Sequence, residues 1–528
     1  MMRIAPALDG GICRIRLPGG MLSAAQARSI AHASRTFGNG IIELTNRANL
    51  QLRGIGGPGV AGPGLTDAPA DLIALLMAAG LGPSSSMRSP QESHAAASGT
   101  PAPHHAAQHA DIDAVRNILI SPSAGIDPSM RVDTRPLLTE ALARLTRRMT
   151  HGMLTQRTPL SAKFAIQIDG GEALTVLGHH HDIWFSAVDT RDDAIPGAGE
   201  AHDVEADAVW CAFGLASSIP SENTRETDGL PRSPSEAHAD VAIGLLRARD
   251  VPLAIDALVT HFLACRAAGT ARDGEGRTAA RLRDVLAASD LTARYAFAET
   301  ALSVVGLTPW RPDWLTQWRR PRPNAESARH IGQIAQARAI PGTGCMATQT
   351  DRVALGLHSA LGRVSPTQLD SLAALCQRFG DGTVRVTPWH GVIVPNLMVE
   401  DAGSTQQAAD AARDAGWIVD ADAPITRLHA CAGSTGCAKS HADTKADALK
   451  MAARLAALPV DRRASIAVHL SGCERRCASA VTREFTLIAQ HPGHYDLYGW
   501  NTQRHENALL CGGVDIDTAA DRILKETA

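Results

Sequence analysis

The sequence predicts an α+β chain built as a pseudo-twofold duplication. Three observations predict it. One strand–helix–turn–strand pattern occurs in each half of the chain. Strand and helix periodicities alternate along its length. Four closely spaced cysteines fall on loops between such elements near the C-terminus. The 528 residues allow about three to five domains or lobes. An apolar content of 45% argues against wholesale disorder, and 51 basic against 54 acidic residues give no global field for nucleic acid. No apolar run reaches the roughly 18 residues of a membrane span, and Met1–Asp9 has no apolar signal core, so a cytoplasmic location is expected.

In chain order, Ile12–Leu17 alternates as a strand and Ser23–Phe37 carries apolar residues at helical spacing. Ile41–Leu52 reads as a strand pair or a strand with a turn. Residues 82–110 are rich in Ser, Pro, Ala and His and read as a flexible insertion. Val115–Ile120 and Lys163–Ile168 read as strands, Pro136–Met149 as a helix, 196–238 as a second mobile insertion and 239–305 as helical. Prolines 309, 312, 321 and 323 mark a linker. The expected blocks are 1–81, 111–330, 331–424 and 425–528.

The repeat is gapless. Gly20-Met-Leu-Ser-Ala-Ala-Gln26 aligns with Gly362-Arg-Val-Ser-Pro-Thr-Gln368. At the same offset of 342, Phe37-Gly-Asn-Gly40 aligns with Phe379-Gly-Asp-Gly382, and Ile42–Thr45 with Val384–Thr387. The turn glycines supply the positive φ that such turns require. Two related halves can hold a large planar ligand between them.

Ten cysteines divide by spacing. Cys431 and Cys437 form a C-x5-C and Cys473 and Cys477 a C-x3-C, with an apparent helix Lys445–Leu458 and strand Ile466–Leu470 between them. Four converging thiolates suit an iron–sulfur cluster or zinc. The wide loops favour a [4Fe–4S] cube, and Gly433, Ser434, Gly436, Ser471 and Gly472 let backbone amides approach the sulfurs. Zinc and unligated thiols are the alternatives. Cys13, Cys211, Cys265, Cys345, Cys376 and Cys511 show no ligand spacing and read as small core residues.

The cysteine pattern together with the repeat resembles the sulfite/nitrite reductase haemoprotein family. Arg14-Ile-Arg16-Leu-Pro-Gly-Gly20, Leu44–Ile55, Val115-Arg116-Asn117 and Lys163-Phe164 resemble further motifs of that family. The resemblance implies two ferredoxin-like half-domains, at 1–81 and 331–424. It also implies Fe–S- and tetrapyrrole-binding α/β domains at 111–330 and 425–528. It makes Cys431, Cys437, Cys473 and Cys477 the cluster ligands, with Cys477 at the bridging position. Within the family, Gly38–Ile55, Ala430–Ala438 and Thr387-Pro-Trp-His-Gly391 are most similar to members that hydroxylate precorrin-3A with dioxygen in cobalamin synthesis. One departure points the same way. Sulfite and nitrite reductases have a basic or amide side chain two residues after the position of Lys163, and this chain has Ala165.

That resemblance implies a polycarboxylate macrocycle held by fixed cations. Arginine suits this, because its planar fork binds carboxylate bidentately and stays charged. The motif-matched substrate residues are Arg14, Arg16, Arg47, Arg53, Arg116, Lys163 and His390, with Arg116, Lys163 and Cys477 nearest the chemistry. On strands, Arg14 and Arg16 share a face, as do Arg47 and Arg53 if theirs is regular. A mononuclear non-haem iron is a further expected cofactor, with His179, His180, His181, His390 and His429 as candidate ligands; sirohaem is a less favoured one. No strand–GxGxxG–helix pattern occurs, so electrons are expected from a ferredoxin or an NADH-linked reductase. The alternatives are a sirohaem-dependent sulfite or nitrite reductase and a non-catalytic tetrapyrrole or Fe–S carrier.

Overall fold

The computed structural model describes residues 3–58, 66–82, 112–150, 160–161, 163–179, 181–188, 209–216, 241–273, 276–286, 290–318, 320, 329–339, 346–399, 402–463, 466–479, 483–501 and 506–527. Of the insertions expected at 82–110 and 196–238, residues 83–110, 196–208 and 217–238 lie outside these residues, as do His180 and Cys345. Four sheets carry the fold. No helix among the described residues is long and apolar enough to cross a membrane.

The first two sheets form the duplicated pair. β1 (Arg3–Ala7), β2 (Gly10–Ile15), β4 (Ile42–Leu44), β5 (Leu50–Ile55) and β6 (Thr66–Asp67) build one. β12 (Gly332–Ala339), β13 (Met346–His358), β15 (Thr383–Val386) and β16 (Gly391–Met398) build the other. Each half lends a short strand to its twin. β3 (Met21–Ser23) pairs with β15, and β14 (Arg363–Val364) pairs with β4. The helices Ala24–Phe37 and Pro366–Phe379 match at the sequence offset, and both start on a capping box. Ser23 Oγ accepts from Gln26 N at 3.2 Å and Ser365 Oγ from Gln368 N at 3.1 Å. The offset extends to backbone strain. Ala48 and His390 both take positive φ, at 52° and 60°, as do Gly54 and Asn396, at 74° and 62°. Both half-domains contribute to one apolar core.

The other two sheets share a second topology that the sequence did not display. β7 (Ile118–Ile120), β8 (Ile166–Asp169) and β9 (Ile183–Ala187) run parallel, followed antiparallel by β10 (Trp210–Leu215) and β11 (Gly244–Arg247). β17 (Leu428–Ala430), β18 (Val468–Ser471), β19 (Phe485–His491), β20 (His494–Asn501) and β21 (Glu506–Val514) repeat that order. In each, thirteen residues separate the first strand from a helix beginning at Thr134 or Thr444. Three expectations need correction. The stretch 196–238, expected as a mobile insertion, contains the buried strand β10, paired on both sides, because Cys211, Phe213 and Leu215 fill the core. Residues 112–115 turn helically, so the strand expected at Val115–Ile120 is only Ile118–Ile120. The stretch 239–305 holds β11 besides its helices, Val251–Ala267 and Leu291–Ser303.

Candidate functional site

The cysteines follow from the second topology. Cys431 is the first residue after β17, and Cys473 and Cys477 follow β18. The parallel pairing of those strands brings both loops to one sheet edge. Gly472 N–H donates to Cys431 Sγ at 3.3 Å, and the Thr444 hydroxyl stands 3.4 Å from the same sulfur. Gly433 has φ 71°, and a Cβ on Gly436 would lie 2.5 Å from an Arg53 nitrogen. These glycines thus allow the tight loop and the amide approach that a [4Fe–4S] cube needs. The residues fit that group.

The equivalent places in the first α/β domain hold Ser121, Asp127, Gly171 and Thr175. Ser123 Oγ donates to Asp127 there at 2.8 Å, Ala173 N–H donates to Asp127 at 3.0 Å, and Gly170 N–H to Glu172 at 2.7 Å. Carboxylates and hydroxyls occupy what thiolates occupy in the twin. Of the other cysteines, Cys13, Cys211 and Cys376 are buried, while Cys265 and Cys511 are half-buried.

The predicted substrate residues separate into groups. Arg14, Arg16, Arg47 and Arg116 gather where the turn Thr45–Asn49 meets the start of β7. Arg16 is ion-paired with Asp113, and Arg116 stands 3.6 Å from the same carboxylate. Arg47 is buried enough to fall to about 10, pushed there by lost hydration and by Arg281 alongside. Sequence reasoning missed Arg281, Arg283, Asp182 and Asp113. Arg281 is 4% exposed and its Nε donates to both Asp182 oxygens at 2.9 and 2.7 Å. Asp182 also accepts from Ala165 N–H and Leu282 N–H, each at 2.9 Å. Arg47 Nε and Arg281 Nη2 are buried without a hydrogen-bond partner. Only Asp113 carried a signal, as a carboxylate three residues before a motif arginine. Lys163 is exposed beside Ala165, at the start of β8.

Arg53 stands apart from this wall. The strand is not regular between Arg47 and Arg53, because Arg47 lies in the turn before β5. Arg53 is 2% exposed and binds Asp9 at 2.8 and 2.7 Å, Glu43 at 3.2 Å and the Gly436 carbonyl at 3.5 Å. His390 also lies elsewhere, at the twin of Ala48, where burial pushes it down to about 4. Cys477 is exposed, preceded by Arg476 at φ 49°. Among the described residues, no three His, Cys, Asp or Glu side chains could hold a single metal ion. His179, His181, His390 and His429 are not gathered into such a group, and His180 lies outside the described residues.

The comparisons fit this geometry. The model of the nitrite/sulfite reductase ferredoxin-like half domain matches residues 6–58 and 346–412, and that of the nitrite and sulphite reductase 4Fe-4S domain matches 111–293. The chain belongs to the nitrite and sulfite reductase-like family. The 4Fe-4S match falls on the α/β domain without the cysteine pairs; its topological twin carries them. Among curated relatives, the chain is 25% identical to a precorrin-3B synthase from Sinorhizobium sp. over 92% of its own length and 79% of that protein. It is also 25% identical to the ferredoxin–nitrite reductase of Synechococcus elongatus, over 90% and 76%. The structure of Mycobacterium tuberculosis NirA superposes with a TM-score of 0.62 at 17% identity, covering 99% of this chain and 84% of that one. The relatives are oxidoreductases, and an oxidoreductase with a [4Fe–4S] cluster fits the family and the site.

Proposed function

We propose that the chain is an oxygen-dependent monooxygenase that converts precorrin-3A to precorrin-3B. Precorrin-3A, dioxygen, two electrons and two protons give the C20-hydroxylated macrocycle, its ring A acetate closed to a lactone, and water. The observation that carries this reading is the charge of the wall. Six arginines (14, 16, 47, 116, 281 and 283) face three aspartates (113, 182 and 284), and two of their buried N–H groups are unpartnered. Unpartnered buried guanidinium groups are costly unless an anion completes them. A macrocycle bearing dispersed carboxylates supplies several such anions at once, and Arg47 and Arg281 would orient it bidentately. When bound, the cluster supplies electrons one at a time from a donor of the ferredoxin class.

Two further observations support the reading. The turn of Arg47 is the twin of the turn holding Trp389, whose ring lies 5.9 Å from His179. At Ala165, the peptide N–H is turned onto the Asp182 carboxylate. A reductase of small inorganic anions needs positive charge there. The nitrite reductase relatives favour one second reading, sirohaem-dependent reduction of nitrite or sulfite in the same pocket. Absorption and iron–sulfide analysis of anaerobically purified protein separates the two. Cluster absorption alone is expected; stoichiometric sirohaem with nitrite or sulfite turnover would overturn the proposal.

A further inference from the structure

Beside the cysteine loop lies a buried charge network set apart from the arginine wall. Arg53 links Asp9 to Glu43, and Glu43 also accepts from Gln51 at 2.6 Å and lies 3.4 Å from Arg363. Arg53 reaches the carbonyl of Gly436, next to Cys437. Lys445, 8% exposed, donates to the Leu361 carbonyl at 2.7 Å. Its neighbour Thr444 touches Cys431 Sγ. Within this network three cations thus face two carboxylates, an excess of one positive charge among Arg53, Arg363, Lys445, Asp9 and Glu43.

The duplication supplies an internal control. At the equivalent positions of the other half, Glu43 becomes Arg385, Arg53 becomes Pro395, Arg363 becomes Met21 and Lys445 becomes Arg135. Arg385 donates there to the Pro122 and Ala124 carbonyls at 3.3 and 2.8 Å. Arg135 is paired with its neighbour Asp133 at 2.6 Å and is 39% exposed. The network is present on the side with the cysteines and absent on the side without them. A mere clamp between domains would serve both sides.

We propose that Lys445, Arg53 and Glu43 are positioning residues that set the reduction potential of the cluster, their net positive charge favouring its reduced form. The proposal rests on the four cysteines holding a [4Fe–4S] cluster. With four thiolates, that cluster passes from charge −2 to −3 on taking one electron from an external one-electron donor. No bond breaks and no proton moves, so a nearby fixed positive charge stabilises the product more than the reactant.

The test is a dye-mediated redox titration of the full reconstituted chain, followed by absorbance and electron paramagnetic resonance. Lys445→Met is expected to lower the reduced-to-oxidised ratio at a fixed poise about tenfold, a shift of about 59 mV for one electron. Lys445→Arg should stay near wild type, and Glu43→Gln should shift the potential upward. Lys445→Met and Glu43→Gln chains that keep full iron and sulfide at the wild-type potential would overturn the proposal alone. Should Lys445→Met lose its cluster, Glu43→Gln decides: a raised potential supports the proposal, and an unchanged or lowered one overturns it. A wild-type chain that assembles no cluster overturns both this proposal and the cluster assignment.

Discussion

Asp182 is the residue on which the cationic wall turns, because it holds Arg281 beside Arg47. Removing one partner of a buried pair leaves an uncompensated charge and costs about 3–5 kcal/mol. Asp182→Ala is expected to lower the denaturation midpoint by that amount of stability. Arg281→Ala and Arg47→Ala should each weaken macrocycle binding by about 1.5–3 kcal/mol, the worth of a hydrogen bond to a charged group, as read by equilibrium titration. Acid sensitivity belongs to this scale too. Burial pushes His330, His390 and His469 down to about 4 and His358 to about 3, against about 6.5 in an unfolded chain. These groups are neutral when folded at pH 7, and protonation favours the unfolded chain. Their stabilisation is complete above about pH 6.5 and is lost as pH falls from there through about 4. Urea midpoints measured across that window should fall steadily, and less steeply in a His358→Gln variant. Of this chemistry, the arginines on motifs were legible in the sequence. Arg281 and Asp182 were not, because 99 positions separate them and neither lies on a recognisable pattern.

Among the elements, the capped helices were the most legible. The periodicity of Ser23–Phe37 and the repeat mark both helices, and in the structure Ser23 and Gln26, and their twins Ser365 and Gln368, close them with capping boxes. Ser365→Ala is expected to cost about 1 kcal/mol, measurable by thermal or chemical denaturation. The cysteine spacing also reads directly into structure, because each pair follows a parallel strand. The second duplication stayed hidden for a physical reason. Its shared features are backbone turns and apolar strands, which tolerate almost any sequence, while Ser121, Asp127, Gly171 and Thr175 replace the four cysteines. β11 was missed because Gly244–Arg247 is a short apolar run in an Ala- and Leu-rich stretch, and such a run has no periodicity of its own.

At the scale of the whole molecule, the exchange of β3 and β14 makes each half complete the other's sheet. Residues 1–330 alone are therefore expected to expose the unpaired edge and aggregate, and coexpression with 331–528 should restore a soluble complex on gel filtration. The same arrangement gives the duplication its functional content. The arginine wall lies in one half and the four cysteines in the other. The central claim is that this pairing serves oxygenation of a tetrapyrrole. Turnover of precorrin-3A under ¹⁸O₂, with a ferredoxin-class reductant and the reconstituted chain, tests it most directly. The account predicts a hydroxylated lactone carrying one labelled oxygen. Unchanged precorrin-3A, with nitrite or sulfite reduced by the same preparation, would contradict it.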